Sequence, residues 1–157
     1  MDNNITRVAR GHYTIHTETT IDAPVGQVWD TLTDFDNMSN WSSSLQHFDG
    51  DFHLGGTITV TLRAMGMTRK LDHELTEFDA GRLFAWSDPF LLGMTDYHRF
   101  LIEPIDENQS RFINTDQVKG GAAWLIGRPV ANSTMKIYQG FNTELQAEAE
   151  RRHRSGR

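Results

Sequence analysis

The chain has 157 residues, no cysteine and a formal net charge of -6. This length is close to that of one domain, so we expect a single domain over residues 1–157. The lack of cysteine excludes disulfides and thiolate metal sites and, with no apolar leader at the start, favours a cytoplasmic protein. The acidic balance disfavours nucleic acid as a partner. No apolar run approaches the ~18–20 residues that span a membrane, so no stable membrane insertion is expected.

The first predicted elements are a strand followed by two short helices. Residues 11–21 alternate between apolar and polar positions, a pattern typical of a half-buried strand. Pro24 suits a first helical turn, because its missing N–H would be unpaired there. Apolar residues at helical spacing predict a helix over residues 25–32, and a second helical turn is predicted over residues 37–41.

Turn signals after residue 41 separate segments that alternate with period two. The predicted strands cover residues 57–65, 69–78, 82–87, 95–104 and 110–119. Short turns between such segments favour an antiparallel meander. The faces assigned to the interior carry Ile58, Val60, Leu62 and Ala64, then Leu71, His73 and Leu75, then His98, Phe100 and Ile102, and finally Phe112, Asn114, Asp116 and Val118.

The last segment, residues 122–152, is predicted to be one amphipathic helix. Pro129 either begins its regular part or kinks a longer helix. The basic residues 151–157 are interpreted as a frayed terminus whose cations complement the helix dipole. The apolar stripe consists of Val130, Ile137, Phe141 and Leu145, and the residues expected in solvent are Glu144, Glu148 and Glu150.

The element order predicts an α+β fold. It is a curved antiparallel sheet of about seven strands wrapped around a long C-terminal helix, with two short helices between strands 1 and 2. The motifs that carry a resemblance are Ile21-x-Ala23-Pro24, Val28-Trp29, Leu32, Asp34, Trp41, His98-x-Phe100, Pro104 and Phe112-x-Asn114-x-Asp116-x-Val118-x-Gly120. In this order they resemble the START-like (SRPBCC) superfamily of helix-grip domains, which includes polyketide cyclases, lipid-transfer domains and the birch pollen allergen class.

The chain is most similar to the polyketide cyclase/dehydrase and lipid-transport branch of that superfamily. The resemblance implies an internal hydrophobic cavity for a small lipophilic molecule. Fold alone does not fix function, so the residues on the predicted cavity faces must be weighed separately.

Four polar residues lie on faces that are otherwise apolar, namely His73, His98, Asn114 and Asp116. Burying such groups unpaired costs on the order of 1–3 kcal/mol each, so they must pair with one another, with water or with a ligand. They form either a satisfied internal network or anchors for the polar end of a ligand. His98 and Asp116 are the candidates for proton transfer. No metal site is expected, because possible ligands come from separate strands without local spacing.

The aromatic and loop residues also have two interpretations. Trp41 and Trp86 lie either near a pocket mouth or in ordinary packing. The apolar loop over residues 88–93 is either packed on the core or a gate over the cavity. The candidate ligand-contacting residues are Trp41, Val60, Leu62, Leu71, His73, Leu75, Trp86, His98, Phe100, Phe112, Asn114, Asp116, Val130, Ile137 and Phe141.

Three functions remain open from the sequence. The first is non-catalytic binding or transport of a lipid, polyketide or isoprenoid without a cofactor. The second is a cyclase or aromatase that uses His98 and Asp116 as acid and base, although no Arg or Tyr was assigned to the pocket faces. The third is a protein-interaction module whose contact surfaces are residues 89–93 and the last helix. The oligomeric state is left open.

Overall fold

The computed structural model describes residues 3–64, 66–89 and 91–156. Within them the strands are β1 (Asn3–Ala9), β2 (His12–Ile21), β3 (Leu45–Gly50), β4 (Thr57–Ala64), β5 (Met67–Asp79), β6 (Leu83–Trp86), β7 (Thr95–Asp96), β8 (His98–Pro104) and β9 (Ser110–Lys119). The helices are α1 (Val25–Leu32) and α2 (Ala123–Ser155), with 3-10 turns at Met38–Asn40 and Leu91–Gly93. The predicted α+β helix-grip architecture is confirmed.

The strands form one open, antiparallel sheet in the order β1-β2-β9-β8-β6-β5-β4-β3. The short strand β7 also pairs with β9, next to β8. The two edge strands, β1 and β3, were not predicted from the sequence. Each has little burial to reveal it: β1 has no fully buried residue and β3 has only Phe48. The described sheet therefore has more strands than the seven expected.

The predicted faces of the central strands are confirmed. On β2, Tyr13, Ile15, Thr17, Thr19 and Ile21 are buried while the residues between them are partly or fully exposed. The helix α1 begins directly after Pro24 and buries Val28, Thr31 and Leu32. The ring of Trp29 packs against those of Phe52, Phe78 and Phe84. Trp29 is therefore a core residue that holds α1 on the sheet.

The long helix α2 contains Pro129 in its interior, so Pro129 does not mark its beginning. Small residues let the first half approach the sheet closely: a Cβ at Gly127 would lie 2.7 Å from Cε2 of Tyr13. The buried face consists of Ala123, Gly127, Ala131, Phe141, Asn142, Leu145 and Ala149. The predicted stripe is thus only half right, because Val130 is half-buried and Ile137 is 40% exposed.

The end of α2 is ordered by ion pairs rather than frayed. Glu148 accepts hydrogen bonds from both Arg151 and Arg152, and these bonds lower its pKa to about 2. Arg152 also donates to Asp34 at 2.8 Å, which ties α2 to the segment after α1. The sequence analysis expected Glu148 and Glu150 to face solvent. Their side chains are instead only 12% and 17% exposed.

Two apolar clusters fill the described interior. The larger one contains most of the aromatic rings and lies between α1, the sheet and the second half of α2. The smaller one surrounds Tyr13, Ile15, Met94 and Val118 below the first half of α2. Over the described residues, none of the helices combines the length and the apolar character needed to cross a bilayer.

Candidate functional site between the sheet and the long helix

The four polar residues singled out in the sequence are all buried on the concave face of the sheet. His73, His98, Asn114 and Asp116 are 7% exposed or less. The strand register brings them together, because His98 pairs with Trp86 across β8 and β6 and Phe100 pairs with Asn114 across β8 and β9. We call these four residues, together with Trp86, Tyr138 and Asn142, the polar layer.

One hydrogen-bonded chain in the polar layer runs from His98 to β2. The Nε2 atom of His98 lies 2.8 Å from Oδ1 of Asn114, and Nδ2 of Asn114 donates to Oδ1 of Asn142. Asn142 donates onward to the Thr17 hydroxyl, which donates to the backbone oxygen of Asn114. In this direction of donation, Nε2 of His98 carries the proton. Burial lowers the pKa of His98 to about 3, so its imidazole is neutral.

Asp116 forms a second group with Tyr138 of α2. The Tyr138 hydroxyl donates to Oδ2 of Asp116 at 2.7 Å, and the backbone N–H groups of Tyr97 and Gln117 donate to Oδ1. Burial, with a smaller effect from the charge of Asp96, raises the pKa of Asp116 to about 8. Asp116 is therefore a protonated, neutral acid at neutral pH.

His73 forms a third group at the other side of the layer. Its Nδ1 atom is bonded to the Asp88 carboxylate, and its ring stacks on Trp86 with 4.9 Å between centroids. Asp88 in turn donates its backbone N–H to Asp96, whose pKa is raised mainly by burial. With two carboxyl groups beside the imidazole, this group is the more polar side of the layer.

His98 and Asp116 are linked through Tyr138 rather than by a direct hydrogen bond. The Tyr138 ring stacks on His98 with 4.5 Å between centroids, while its hydroxyl binds Asp116. The sequence analysis did not assign Tyr138 to the pocket faces. Its place there could have been read from the sequence, because Tyr138 lies three residues before Phe141 and on the same side of α2.

Five of the apolar residues predicted to line a cavity are almost completely buried. Val60, Leu75, Phe100, Phe112 and Phe141 are all about 1% exposed or less. The ring of Phe100 has five aromatic neighbours with centroids 4.3–5.9 Å away. Trp86 is likewise 3% exposed. These side chains fill the space beneath the second half of α2.

The predicted ligand-contacting residues next to the polar layer on β4, β5 and α2 are less buried than those of the core. Leu71 lies on the same face of β5 as His73, and Ile137 lies one helical turn before Phe141, yet each is 40% exposed. Leu62 and Val130 are half-buried. In the described residues α2 packs mainly on β2, α1, β9 and β1. We call the group formed by Leu62, Leu71, Val130 and Ile137 the opening.

Trp41 packs on the long helix one turn after Ile137. Its ring packs on Phe141 with 5.6 Å between centroids, and its Nε1 atom is buried without a partner. It borders a surface depression of about 350 Å³ whose other lining residues include Asp34, Glu148 and Arg152. Trp41 thus contacts the core on one side and a polar surface depression on the other.

The loop over residues 88–93 is the segment for which the sequence leaves open packing on the core or a gate over the cavity. Phe90 lies outside the described residues. Leu92 is 64% exposed and has a positive φ of 56°, which non-glycine residues seldom adopt. Its backbone oxygen accepts a hydrogen bond from the N–H of Ala122. The loop is therefore attached to the start of α2.

Groups of three or more His, Asp or Glu side chains placed to hold a metal ion do not occur among the described residues. The polar layer can supply a neutral acid, a neutral imidazole and hydrogen-bonding amides. These groups suit binding of an uncharged polar group or proton transfer.

Comparisons with known proteins agree with this architecture. The chain resembles the Zhui aromatase/cyclase from Streptomyces sp. R1128 at 15% identity, with 92% of this chain and 98% of that chain covered and a TM-score of 0.72. A START superfamily protein from Mycobacterium smegmatis is 13% identical over 90% of this chain and 99% of that chain, with a TM-score of 0.70. The protein Ara h 8.0201 is 16% identical over 88% and 98%, with a TM-score of 0.66.

At these identities the likeness establishes the fold alone. No curated protein sequence matches the chain. The profile of the family described as "Polyketide cyclase / dehydrase and lipid transport" matches residues 12–150, nearly the whole chain. The chain therefore belongs to the polyketide cyclase/dehydrase and lipid transport family.

Proposed function

We propose that residues 1–157 form one cytoplasmic domain that binds a small hydrophobic molecule in the opening, with the polar layer as its floor. The observation that carries this proposal is the exposure of Leu71 and Ile137. Both lie on faces that are buried elsewhere along the same elements, and each leaves 40% of its surface open. Covering apolar side chains of this kind gains roughly 25 cal/mol per Å² of buried surface.

The charge state of the floor restricts the ligand. His98 is neutral because burial lowers its pKa to about 3, and Asp116 is neutral below a pH of about 8. Asp88 and Asp96 add negative potential at the side of His73. An apolar ligand with a hydroxyl or carbonyl group fits such a floor better than one with a carboxylate. Lipids, polyketides and isoprenoids with neutral ends meet this requirement.

Placing a charge in the opening is expected to weaken binding. The substitution Ile137→Lys should lower the affinity for the neutral probe Nile red about tenfold, because a cation is costly to desolvate among apolar groups. Thr143→Lys, at an exposed position of the same helix, is the matched control and should bind as the unmodified chain does. Fluorescence titration measures both affinities, and native mass spectrometry of the purified chain identifies any molecule that remains bound. Equal affinities of all three proteins would contradict the site.

A second candidate is a cyclase or dehydratase, and one observation favours it. A neutral acid, Asp116, and a neutral base, His98, contact the same Tyr138 side chain. In a dehydration, a base removes a proton from carbon while an acid protonates the departing hydroxyl, which leaves as water. Asp116 would be the acid, and His98 would be the base once a bound ligand with a polar group raises its pKa from about 3.

Turnover of a poly-ketone substrate separates the two candidates. If Asp116 is the acid, Asp116→Asn should lower kcat by about 10²- to 10⁴-fold, since the amide cannot deliver a proton. Thr143→Lys again serves as the control that leaves the polar layer intact. Turnover that is unchanged in Asp116→Asn would remove Asp116 from catalysis and leave binding as the function.

A further inference from the structure

The exposed large apolar side chains are concentrated at one end of the sheet. Five of those in the described residues belong to segments at this end, Leu71 and Ile137 belong to the opening, and Leu54 and Ile105 lie at the opposite end. The five are Val8, Met67, Leu92, Trp124 and Leu125. Leu125 and Leu92 are the most exposed of them, at 67% and 64%, followed by Val8 and Trp124 at 56% each. Single exposed apolar residues are ordinary, but a concentration of them indicates an interaction surface.

Backbone contacts bring the segments of this end together. The N–H of Gly120 donates to the oxygen of Gly11 at 3.1 Å, which joins the end of β9 to the β1–β2 turn. The Ala122 N–H donates to Leu92 at 3.2 Å, and the guanidinium of Arg10 lies 5.3 Å from the centre of the Trp124 ring. Because adjacent strands are antiparallel, the β4–β5 hairpin is at this end too. We call this end of the sheet the docking end; it comprises the β1–β2 turn, the β4–β5 hairpin, residues 91–93 and the start of α2.

The docking end is basic although the chain as a whole is acidic. Its exposed cations are Arg7, Arg10, Arg63, Arg69, Lys70, Lys119 and Arg128. In the described part of the chain none of these seven takes part in a salt bridge, while the ion pairs of Arg82, Arg99, Arg151, Arg152 and Arg154 lie elsewhere. The nearby acids are fewer: Asp72 accepts a hydrogen bond from Thr59, Asp88 is bound to His73, Asp96 accepts from the Asp88 N–H, and Asp116 is buried.

Helix α2 shows the same combination within two turns. Trp124, Leu125 and Arg128 are all exposed, and Trp124 and Arg128 are four residues apart, on one side of the helix. The sequence from residue 117 to residue 143 contains no Asp or Glu. Tryptophan prefers the membrane–water interface, and nearby Lys and Arg are attracted to anionic headgroups.

We propose that the docking end binds peripherally to a membrane surface that carries anionic lipids. Trp124 and Leu125 enter the interfacial layer, while Arg10 and Arg128 contact the headgroups. The net charge of -6 opposes such binding in general, so the orientation is set by the one end where positive charge and apolar surface coincide. This surface is defined without reference to any molecule in the opening, so it stands independently of the proposed function.

Sedimentation of the full chain with lipid vesicles tests the proposal. The chain should sediment with vesicles that contain both phosphatidylcholine and phosphatidylglycerol. With vesicles of pure phosphatidylcholine it should stay in the supernatant. Binding should weaken as salt is added, because the headgroup attraction is screened. Leu125→Glu and Arg128→Glu should each weaken binding about tenfold. Ile105→Glu and Arg111→Glu, exposed residues at the opposite end, are the matched controls and should bind unchanged.

Circular dichroism of every variant verifies that the fold is kept. The proposal is overturned if the chain does not sediment with the anionic vesicles. It is also overturned if the control substitutions weaken binding as much as the docking-end substitutions do. It is also overturned if the chain forms a dimer that Leu125→Glu dissociates and no vesicle binding occurs, since the surface would then belong to a second copy of the chain.

Discussion

Replacing Phe100 with alanine is expected to lower the free energy of unfolding by about 3–5 kcal/mol. Phe100 is 1% exposed, and its ring contacts those of Phe84, Trp86, His98, Phe112 and Phe141. Removing it leaves a cavity between the sheet and α2 that rigid aromatic neighbours cannot readily fill. Urea unfolding followed by circular dichroism gives the difference.

The matched control for this change is Leu54→Ala. Leu54 is 62% exposed, so its truncation should alter the free energy of unfolding by less than about 0.5 kcal/mol. A loss below about 1 kcal/mol for Phe100→Ala would show that the neighbouring rings collapse into the vacated space. The described packing around Phe100 would then be too loose to count as closed core.

The substitution Asp116→Asn is expected to make the chain more stable, relative to the unmodified protein, as the pH rises. Burial raises the pKa of Asp116 from near 3.8 to about 8, so the folded state keeps a proton that the unfolded chain releases. The stability that Asp116 contributes is complete below about pH 4. It is lost as the pH rises to about 8, at about 1.4 kcal/mol per pH unit. Asparagine does not titrate, so the variant does not lose this part of the free energy of unfolding as the pH rises.

Urea unfolding of both proteins at pH 5 and pH 7.5 measures this effect. The difference between them should change by about 3 kcal/mol in favour of Asp116→Asn over that interval. His98, whose lowered pKa acts on the acidic side, is present in both proteins, as are Asp96 and Tyr138, so their effects largely cancel. A constant difference would mean that Asp116 is ionised in the folded state at neutral pH.

Strand parity is the part of this structure that the sequence revealed best. The alternation in β8 and β9 placed His98, Asn114 and Asp116 on the buried face, because each of these strands has one face covered and one face open. The edge strand β3 escaped prediction because only Phe48 among its residues is fully buried. An alternation of buried and exposed positions cannot be recognised in a strand that has only one buried residue.

The partners of the polar residues could not be read in this way. Asp88 lies in a loop, where no periodicity exists, and its bond to His73 depends on the return of the chain through β6. Leu71 and Ile137 were assigned to the correct faces, but their exposure depends on where β5 and α2 part. Parity gives the direction of a side chain, whereas the distance between two layers is a property of the assembled fold.

The contact between the loop after β6 and the start of α2 has a mechanical consequence. A Cβ at Gly121 would lie 2.3 Å from the carbonyl carbon of Gly93 and 2.4 Å from the oxygen of Leu92. The two backbones touch with no side chain between them, and the hydrogen bond from Ala122 joins them further. Loop and helix start therefore behave as one block. Any movement of the loop away from α2 must break the hydrogen bond from Ala122, and a single methyl group at Gly121 would force these two backbones apart.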